Sequence, residues 1–301
     1  MKKQNFSATG LHKKRNLILA GLLLTAMLIS GCGSSAADKA DAPKGTEAEA
    51  TPGPADTAET PGTPETAGES TKILIAAAAS LQYSLEEELI PAFEEKNPGI
   101  TVEGTYDSSG KLQTQIEEGI DADVFFSAAV KQMDELNEKG YVNSDSRVDL
   151  LKNKIVLIVP SDTAAGYTKF EDIANADKIA VGDPESVPAG QYAKEALTAL
   201  GLWETVSEKA SLGTNVTEVL SWVSEGSADA GIVYATDAAA SPDGITVIAE
   251  APEGSLKSDV IYPVAVLKNS TRAEAAKKFV DFLSSDEAMA VFEKYGFTDN
   301  R

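Results

Sequence analysis

Two regular patterns of apolar and polar positions alternate along residues 72–301. Short apolar runs, as at residues 73–79, 123–127 and 230–234, are typical of buried strands. Between such runs, apolar residues recur every three or four positions, as at residues 81–93, which predicts helices with one buried face. Because strands and helices alternate nearly throughout, we predict an α/β fold with mostly parallel sheets flanked by helices.

The remaining elements follow from the same two patterns and from the Gly, Pro and Asn residues at their ends. Pro91 lies inside the first predicted helix and should kink or interrupt it, because proline lacks the N–H and clashes with the preceding turn. The further predicted strands are 100–106, 154–159, 178–181, 245–249 and 260–267, and the further helices are 111–118, 132–139, 193–200, 216–224, 273–283 and 287–295.

The first 31 residues follow a different pattern. Five basic residues precede a mostly apolar run at residues 17–29, which is shorter than the ~20 residues of a membrane span and typical of a secretion signal. The run leads into Ser30-Gly31-Cys32, which resembles the bacterial lipobox. We therefore predict a signal peptide over residues 1–31 and a lipidated Cys32 that anchors the protein outside the cell membrane. Cys32 is the only cysteine, which excludes an intramolecular disulfide.

Residues 32–71 are rich in Ala, Thr, Pro, Glu and Gly and contain no aromatic residue. A segment of this composition buries too little apolar surface to offset the entropy lost on ordering. We predict a disordered tether that holds the folded part near the membrane.

Composition limits the partners of the folded part. The chain has 47 acidic and 26 basic residues, and its formal net charge is −21 at pH 7. Loss of a signal peptide would remove five basic residues and no acidic one, so the remainder is more acidic still. This charge argues against nucleic acid and anionic lipid as partners of the folded part. An anionic ligand is compatible with it, because local hydrogen-bond donors decide a binding site.

Residues typical of catalysis are scarce. The single histidine, His12, lies in the predicted signal peptide, so residues 32–301 cannot form a histidine-dependent catalytic triad or a histidine zinc site. The sequence has no P-loop and no Gly-x-Gly-x-x-Gly fingerprint. We predict a binding protein that is not an enzyme and needs no cofactor. Without histidine, we expect ligand affinity to stay flat between about pH 6 and 8.

Four loops at predicted strand-to-helix junctions are candidates for binding an anion. They combine small residues, hydroxyl groups and glycine, and they span residues 76–81, 106–112, 182–192 and 213–218. The first turn of a helix has unpaired N–H groups and a partial positive charge, so several such turns around one cleft would bind an anion without Lys or Arg. Each turn is equally typical of simple helix capping, and spacing alone does not show that the four converge.

At these loops the sequence resembles the molybdate-binding solute-binding proteins of ABC transporters. The matching stretches are 77–81, 108–112 with 115–117, 122–128, 180–197, 231–238, 262–266 and 295–297. The resemblance implies a periplasmic-binding-protein fold of two α/β lobes, joined by hinge crossings near residues 154–159 and 260–267. Lobe one would comprise residues 72–155 plus 261–301, and lobe two residues 156–260.

The resemblance also implies the ligand and its site. Molybdate or tungstate would be held by hydroxyls and backbone N–H groups, with molybdenum present only inside the oxyanion and no direct metal ligand. The matching positions are Ser80, Ser109, Ala189, Val216 and Tyr234, with Ser108 as the alternative to Ser109. The protein would act as a monomer whose lobes close on the oxyanion before it is delivered to an ABC permease at the membrane.

Other ligands remain open from the residues alone. Asp107 and Asp183 lie near the proposed loops and could accept the proton that phosphate retains near neutrality. Sulfate has the charge of molybdate and is smaller, and a small organic anion would use similar donors. A surface interaction module outside transport is the alternative from a different class, and it would show no stabilisation by a small ligand.

Overall fold

The computed structural model describes residues 70–301. The predicted signal peptide, Cys32 and residues 32–69 of the predicted tether lie outside the described residues. In the described part of the chain, no helix is both long and apolar enough to cross a membrane.

Strands and helices alternate along the described chain, as the pattern predicts. The strands are β1 (Thr71–Ala78), β2 (Ile100–Asp107), β3 (Val124–Phe126), β4 (Val148–Asn153), β5 (Ile155–Pro160), β6 (Ile179–Gly182), β7 (Ala210–Gly213), β8 (Ala230–Tyr234), β9 (Ile245–Glu250), β10 (Val260–Val266) and β11 (Thr298–Asp299). The helices are α1 (Gln82–Ser84), α2 (Ile90–Lys96), α3 (Ser109–Glu117), α4 (Val130–Glu138), α5 (Pro188–Ala199), α6 (Trp203–Ser207), α7 (Val216–Ser224), α8 (Ala235–Ala240), α9 (Ala273–Leu283) and α10 (Asp286–Lys294).

The strands form two separate sheets. One has six strands in the order β11-β4-β10-β3-β1-β2, and the other has five in the order β7-β6-β8-β5-β9. The chain passes from the first sheet to the second between β4 and β5, and it returns between β9 and β10. We call the six-stranded sheet with its helices lobe one and the five-stranded sheet with its helices lobe two.

Both sheets are mixed, which corrects the expectation of mostly parallel sheets. The pairs β1–β2, β1–β3, β6–β7 and β6–β8 are parallel. The strands next to the two crossings pair antiparallel: β10 with β3 and β4, and β5 with β8 and β9. The apolar pattern marks a strand but not its direction, so the antiparallel pairing of these strands is invisible in the sequence.

Pro91 interrupts the first helical segment as predicted, and the interruption takes the form of a π-helical turn. Residues Leu85–Leu89 form this turn, and the N–H of Ile90 donates to the carbonyl of Leu85, five residues earlier. The π-helical turn runs directly into helix α2, which has Pro91 as its second residue.

Apolar side chains cover both faces of the six-stranded sheet. Within β1, Ile73, Ile75 and Ala77 belong to a large core cluster that also includes residues of lobe two. Ala76 faces the other way, into a smaller cluster with Phe125 and side chains of α3 and α4. Burial on both faces makes the sheet a rigid platform, so the loops that leave its strands are held in fixed positions.

Candidate ligand site between the lobes

The four loops singled out in the sequence lie together in the structure. In lobe one, Ala78 at the end of β1 pairs with Asp107 at the end of β2, so the loops that follow begin side by side. In lobe two, Gly182 at the end of β6 pairs with Gly213 at the end of β7 in the same way. The N–H of Asp183 donates to the carbonyl of Gly213 at 2.9 Å and ties these two loops to each other.

Contacts between the lobes bring the two pairs of loops face to face. The N–H of Gly110 donates to the carbonyl of Ser186 at 2.9 Å. The Asn215 amide donates to the Asp107 carboxylate at 3.4 Å, and helix α7 contacts the 3-10 turn Ala79–Leu81. The loops therefore surround one region between the lobes, which sequence spacing could not show.

Ser80 lies in the 3-10 turn that follows β1 and is buried. Its hydroxyl shares a hydrogen bond of 3.0 Å with the hydroxyl of Tyr262 on β10. Tyr262 in turn accepts from the side-chain amide of Asn153 at 3.1 Å, and the same amide donates to the hydroxyl of Thr236 at 2.8 Å. Because Asn153 ends β4, this chain of hydrogen bonds connects Ser80 to one of the two crossings between the lobes.

Ser109 and Ser108 have different surroundings. Ser109 is the first residue of α3 and is fully buried, and its hydroxyl oxygen accepts from the N–H of Ala128 at 2.9 Å. Ser108 is the N-cap of α3, and its hydroxyl oxygen accepts from the N–H of Lys111 at 3.4 Å. Ser108 thus caps its own helix, whereas Ser109 is bound to the loop after β3.

Ala189 and Val216 occupy the first turns of two helices in lobe two. Helix α5 begins at Pro188 and has no side-chain cap, so the N–H groups of Ala189 and Gly190 have no acceptor within the helix. Helix α7 begins at Val216 and is capped by Asn215, whose side chain accepts from the N–H of Glu218 at 3.0 Å. That cap leaves the N–H groups at the start of α7 without an intrahelical acceptor.

Tyr234 ends β8 and is buried against lobe one. Its hydroxyl donates to the carbonyl of Ala128 at 3.3 Å, and its ring meets that of Tyr262 edge to face at 5.5 Å between centroids. Ala128 therefore contacts Ser109 through its N–H and Tyr234 through its carbonyl. The structure thus links Ser80, Ser109 and Tyr234 through a short network that includes both tyrosines.

Four residues of this network were not assigned a role from sequence: Ala128, Asn153, Asp237 and Tyr262. Ala128, Asp237 and Tyr262 lie within the stretches that carry the resemblance, but nothing in their spacing indicates the contacts they make. Asn153 is a buried polar residue at the end of β4, just before the strongly apolar strand β5. A buried polar residue at such a place is the one signal that could have found it.

Burial controls the charge of the acidic groups here. Asp237 lies in the first turn of α8, and its carboxylate accepts from the N–H of Tyr234 at 3.2 Å. Burial raises the pKa of Asp237 to about 7, and the hydrogen bond from Tyr234 offsets only part of that shift. Burial also raises the pKa values of Tyr234 and Tyr262 well above 10, so both phenols remain neutral donors near pH 7. The expectation that affinity is independent of pH rested on the absence of histidine and on neutral donors. Because the pKa of Asp237 lies near neutrality, its carboxyl can make affinity depend on pH.

The site offers neutral donors from both lobes and no cation among its five predicted residues. Lys111, beside the second loop, pairs with Asp107 at 3.3 Å. Within residues 70–301, no cluster of three or more His, Cys, Asp or Glu side chains is arranged to hold a metal ion. Such a set of donors suits a fully ionised anion, because every contact can be a hydrogen bond to a negative oxygen.

Two α/β lobes around a cleft lined with donors define the architecture of a solute-binding protein. The chain belongs to the family of bacterial extracellular solute-binding proteins, whose family model matches residues 73–298. This is a class of binding proteins rather than enzymes, and the family is extracytoplasmic.

The relatives confirm the resemblance predicted from sequence. The putative ABC transporter substrate-binding lipoprotein YvgL of Bacillus subtilis is 44% identical over 226 residues, which cover 75% of this chain and 86% of YvgL. The molybdate-binding protein ModA of Escherichia coli is 40% identical over 233 residues, which cover 75% of this chain and 89% of ModA.

Solved structures confirm the two-lobed fold. The substrate-binding domain of a putative molybdenum ABC transporter from Clostridium difficile is 38% identical, with a TM-score of 0.60, and the match covers 77% of this chain and all of that domain. The sulfate-binding protein SubI of Mycobacterium tuberculosis has a TM-score of 0.67 at 18% identity, covering 75% of this chain and 86% of SubI. At that identity SubI shares the fold alone.

Proposed function

We propose that this protein captures molybdate or tungstate between its lobes and delivers it to an ABC permease. The observation that supports this most is the meeting of four donor-bearing loops, two from each lobe, around Ser80, Ser109, Ala189, Val216 and Tyr234. The relatives with 44% and 40% identity, a transporter lipoprotein and a molybdate-binding protein, support the same assignment.

The proposed ligand contacts are two hydroxyls from lobe one, two backbone N–H groups from lobe two and the Tyr234 hydroxyl. The Tyr234 hydroxyl donates to the Ala128 carbonyl at 3.3 Å, and it would turn its hydrogen from that carbonyl to the ligand. Tyr262 accepts from Asn153, so it can donate its own hydrogen to Ser80 and leave the Ser80 hydrogen for the ligand. Ser109 accepts from Ala128, which likewise leaves its hydrogen available. Hydrogen bonds to a charged group contribute about 1.5–3 kcal/mol each, so five of them hold a dianion tightly without a cation.

Phosphate is a weaker candidate than a metal oxyanion. It retains a proton near neutrality and needs an acceptor as well as donors. The two carboxylates considered for that role already have partners: Asp107 accepts from the N–H of Ser108 at 2.8 Å, and Asp183 accepts from the N–H of Glu185 at 3.0 Å. Both are therefore held by their own loops, which favours a fully ionised ligand.

The remaining parts of the proposal concern the cell. Cys32 would carry the lipid anchor, and residues 33–71 would give the folded part freedom to reach the permease. A relative described as a lipoprotein supports the anchor. The protein would work as a monomer without a cofactor, because both lobes of the site come from one chain.

Calorimetric titration with molybdate, tungstate, sulfate and phosphate at pH 7 tests the ligand. We expect one-to-one binding of molybdate or tungstate and far weaker binding of the other two anions. Ser80→Ala and Ser109→Ala should each weaken binding roughly tenfold to a hundredfold, since each removes one charge-assisted hydrogen bond. Ser207→Ala, at the end of α6, is the matched control and should bind like the unchanged protein.

Two results would redirect the proposal. Tight binding of sulfate or phosphate instead of the metal oxyanions would keep the transport role and change the ligand. Absence of binding to all four anions would favour the interaction module, which has no small ligand.

A further inference from the structure

We infer that Gly110 sets how closely the two lobes approach, and that a single methyl group at this position keeps them apart. This inference rests on the proposed function, since closure of the lobes is what would enclose the oxyanion. It assigns a positioning role to a residue that makes no proposed ligand contact itself.

The two lobes meet at Gly110 through their main chains. The N–H of Gly110, in the first turn of α3, donates to the carbonyl of Ser186 in the loop before α5. Within residues 70–301 this is the one main-chain hydrogen bond between a loop of lobe one and a loop of lobe two. At 2.9 Å it is shorter than the side-chain hydrogen bonds that join Gln132 to Gln191 at 3.3 Å and Asn215 to Asp107 at 3.4 Å.

The approach leaves no room for a side chain. A Cβ atom on Gly110 would lie 2.4 Å from the carbonyl oxygen of Ser186, 2.8 Å from its Cα and 2.9 Å from its carbonyl carbon. All three are main-chain atoms of the other lobe, so no side-chain rotation relieves the collision. The lobes themselves must separate.

Neither partner can shift alone. The Ser186 turn is held by hydrogen bonds from the N–H groups of Ser186 and Val187 to the carbonyl of Asp183, at 3.1 and 2.8 Å. On the other side, Ser109 is fixed to Ala128. A displacement at Gly110 therefore moves either Ser109 or the start of α5, which are the positions proposed to contact the ligand.

The local backbone of Gly110 accepts alanine without strain. Gly110 is not among the glycines with positive φ, and it lies in a helix, where alanine is the more favourable residue. Gly110→Ala should therefore leave each lobe folded and act only where the lobes meet. The alanine methyl group disfavours closure because it collides with Ser186, whereas alanine favours the helix itself. A loss of closure without a loss of stability therefore indicates a closure defect and not a folding defect.

The test measures the distance between the lobes and, separately, the affinity for molybdate. Spin labels on cysteines replacing Glu138 of α4 and Thr198 of α5, in a chain with Cys32→Ser, report the distance between the lobes. We expect a short-distance population in the unchanged protein that grows with molybdate and is lost in Gly110→Ala. Affinity for molybdate should fall about tenfold or more while the thermal midpoint without ligand is retained, because only the closed state is penalised.

Gly166→Ala is the matched control, because Gly166 has open space around it and no positive φ. It should close and bind like the unchanged protein. An equal short-distance population in Gly110→Ala and the unchanged protein, or no such population in either, overturns the inference. If no anion binds the unchanged protein, the proposed function fails, while the distances without ligand still decide the role of Gly110.

Discussion

Asp237 is the titratable residue most able to affect a site built from neutral donors. It is buried beside Tyr234 and Tyr262, and Tyr192 is the third phenol near this pair. Burial raises the pKa of Asp237 to about 7, so its carboxyl is partly protonated near neutrality. A dianion between the lobes repels the ionised form, so ligand binding favours the protonated carboxyl.

The sign of the pH dependence follows from this linkage. The folded-state pKa lies above the unfolded value of ~3.9, so folding favours the protonated carboxyl, and the free energy of unfolding falls as pH rises from about 4 to 7. Molybdate affinity should likewise fall between about pH 6 and 8, by at most about tenfold per pH unit. Asp237→Asn should abolish that dependence and keep the acceptor for the Tyr234 N–H.

Calorimetry at about pH 6, 7 and 8 tests this prediction. Asp162→Asn, at an exposed position, is the control and should retain the slope of the unchanged protein. The same slope in Asp237→Asn would assign the titration to another group.

Residue types and resemblance located the proposed ligand contacts, whereas the residues that hold them in place were found only in the structure. Ser80 and Tyr234 lie in stretches whose loops could be recognised along the chain. The bonds among Ser80, Asn153 and Tyr262 join residues up to 182 positions apart, so no local pattern encodes them. Asn153 on β4, Tyr262 on β10 and Ser80 in the turn after β1 are brought together because all three strands belong to one sheet.

At the scale of elements, helix α7 shows how one residue serves both a helix and the cleft. The Asn215 side chain caps α7 with its oxygen and reaches Asp107 with its nitrogen. Asn215→Ser should keep the cap and lose the contact with Asp107, whereas Asn215→Ala should lose both.

We therefore expect Asn215→Ala to lower the free energy of unfolding by about 1 kcal/mol, and Asn215→Ser to change it by only a few tenths. Chemical denaturation without ligand measures both. Both variants should bind molybdate more weakly than the unchanged protein, because both lack the donor to Asp107. Equal stability of the two variants would show that the cap contributes nothing at this helix.

Strong periodicity predicted elements well, and weak periodicity did not. The helix over residues 216–224 has the predicted bounds because its apolar face is complete and Asn215 and Gly226 mark its ends. Helix α5 starts five residues before the predicted 193, because Pro188, Ala189 and Gly190 carry no apolar pattern although they are buried. Strand β7, at the edge of its sheet and largely exposed, has no apolar run and was not predicted.

At the scale of the whole molecule, few hydrogen bonds join the loops of the two lobes across the cleft within residues 70–301. One of them joins two side-chain amides that are only half paired. The Gln132 amide nitrogen donates to the Gln191 amide oxygen, and the other polar atom of each amide is buried without a hydrogen-bond partner. Unpaired buried groups of this kind weaken the closed state, so the lobes alone do not favour closure strongly. A ligand that contacts both lobes supplies the missing free energy, since it binds the closed arrangement much better than the open one.

Closure should therefore depend on the ligand and be visible in the size and stability of the molecule. Small-angle scattering should show a smaller radius of gyration with molybdate than without it, and the thermal midpoint should rise. At a ligand concentration about 100 times Kd, the free energy of unfolding should increase by ~2.7 kcal/mol. Sulfate at the same concentration is the control, because it has the same charge and should bind too weakly to close the lobes. Superimposable scattering profiles together with a raised midpoint would mean that molybdate binds a cleft that is already closed, and the donors of both lobes would then be in place before the ligand arrives.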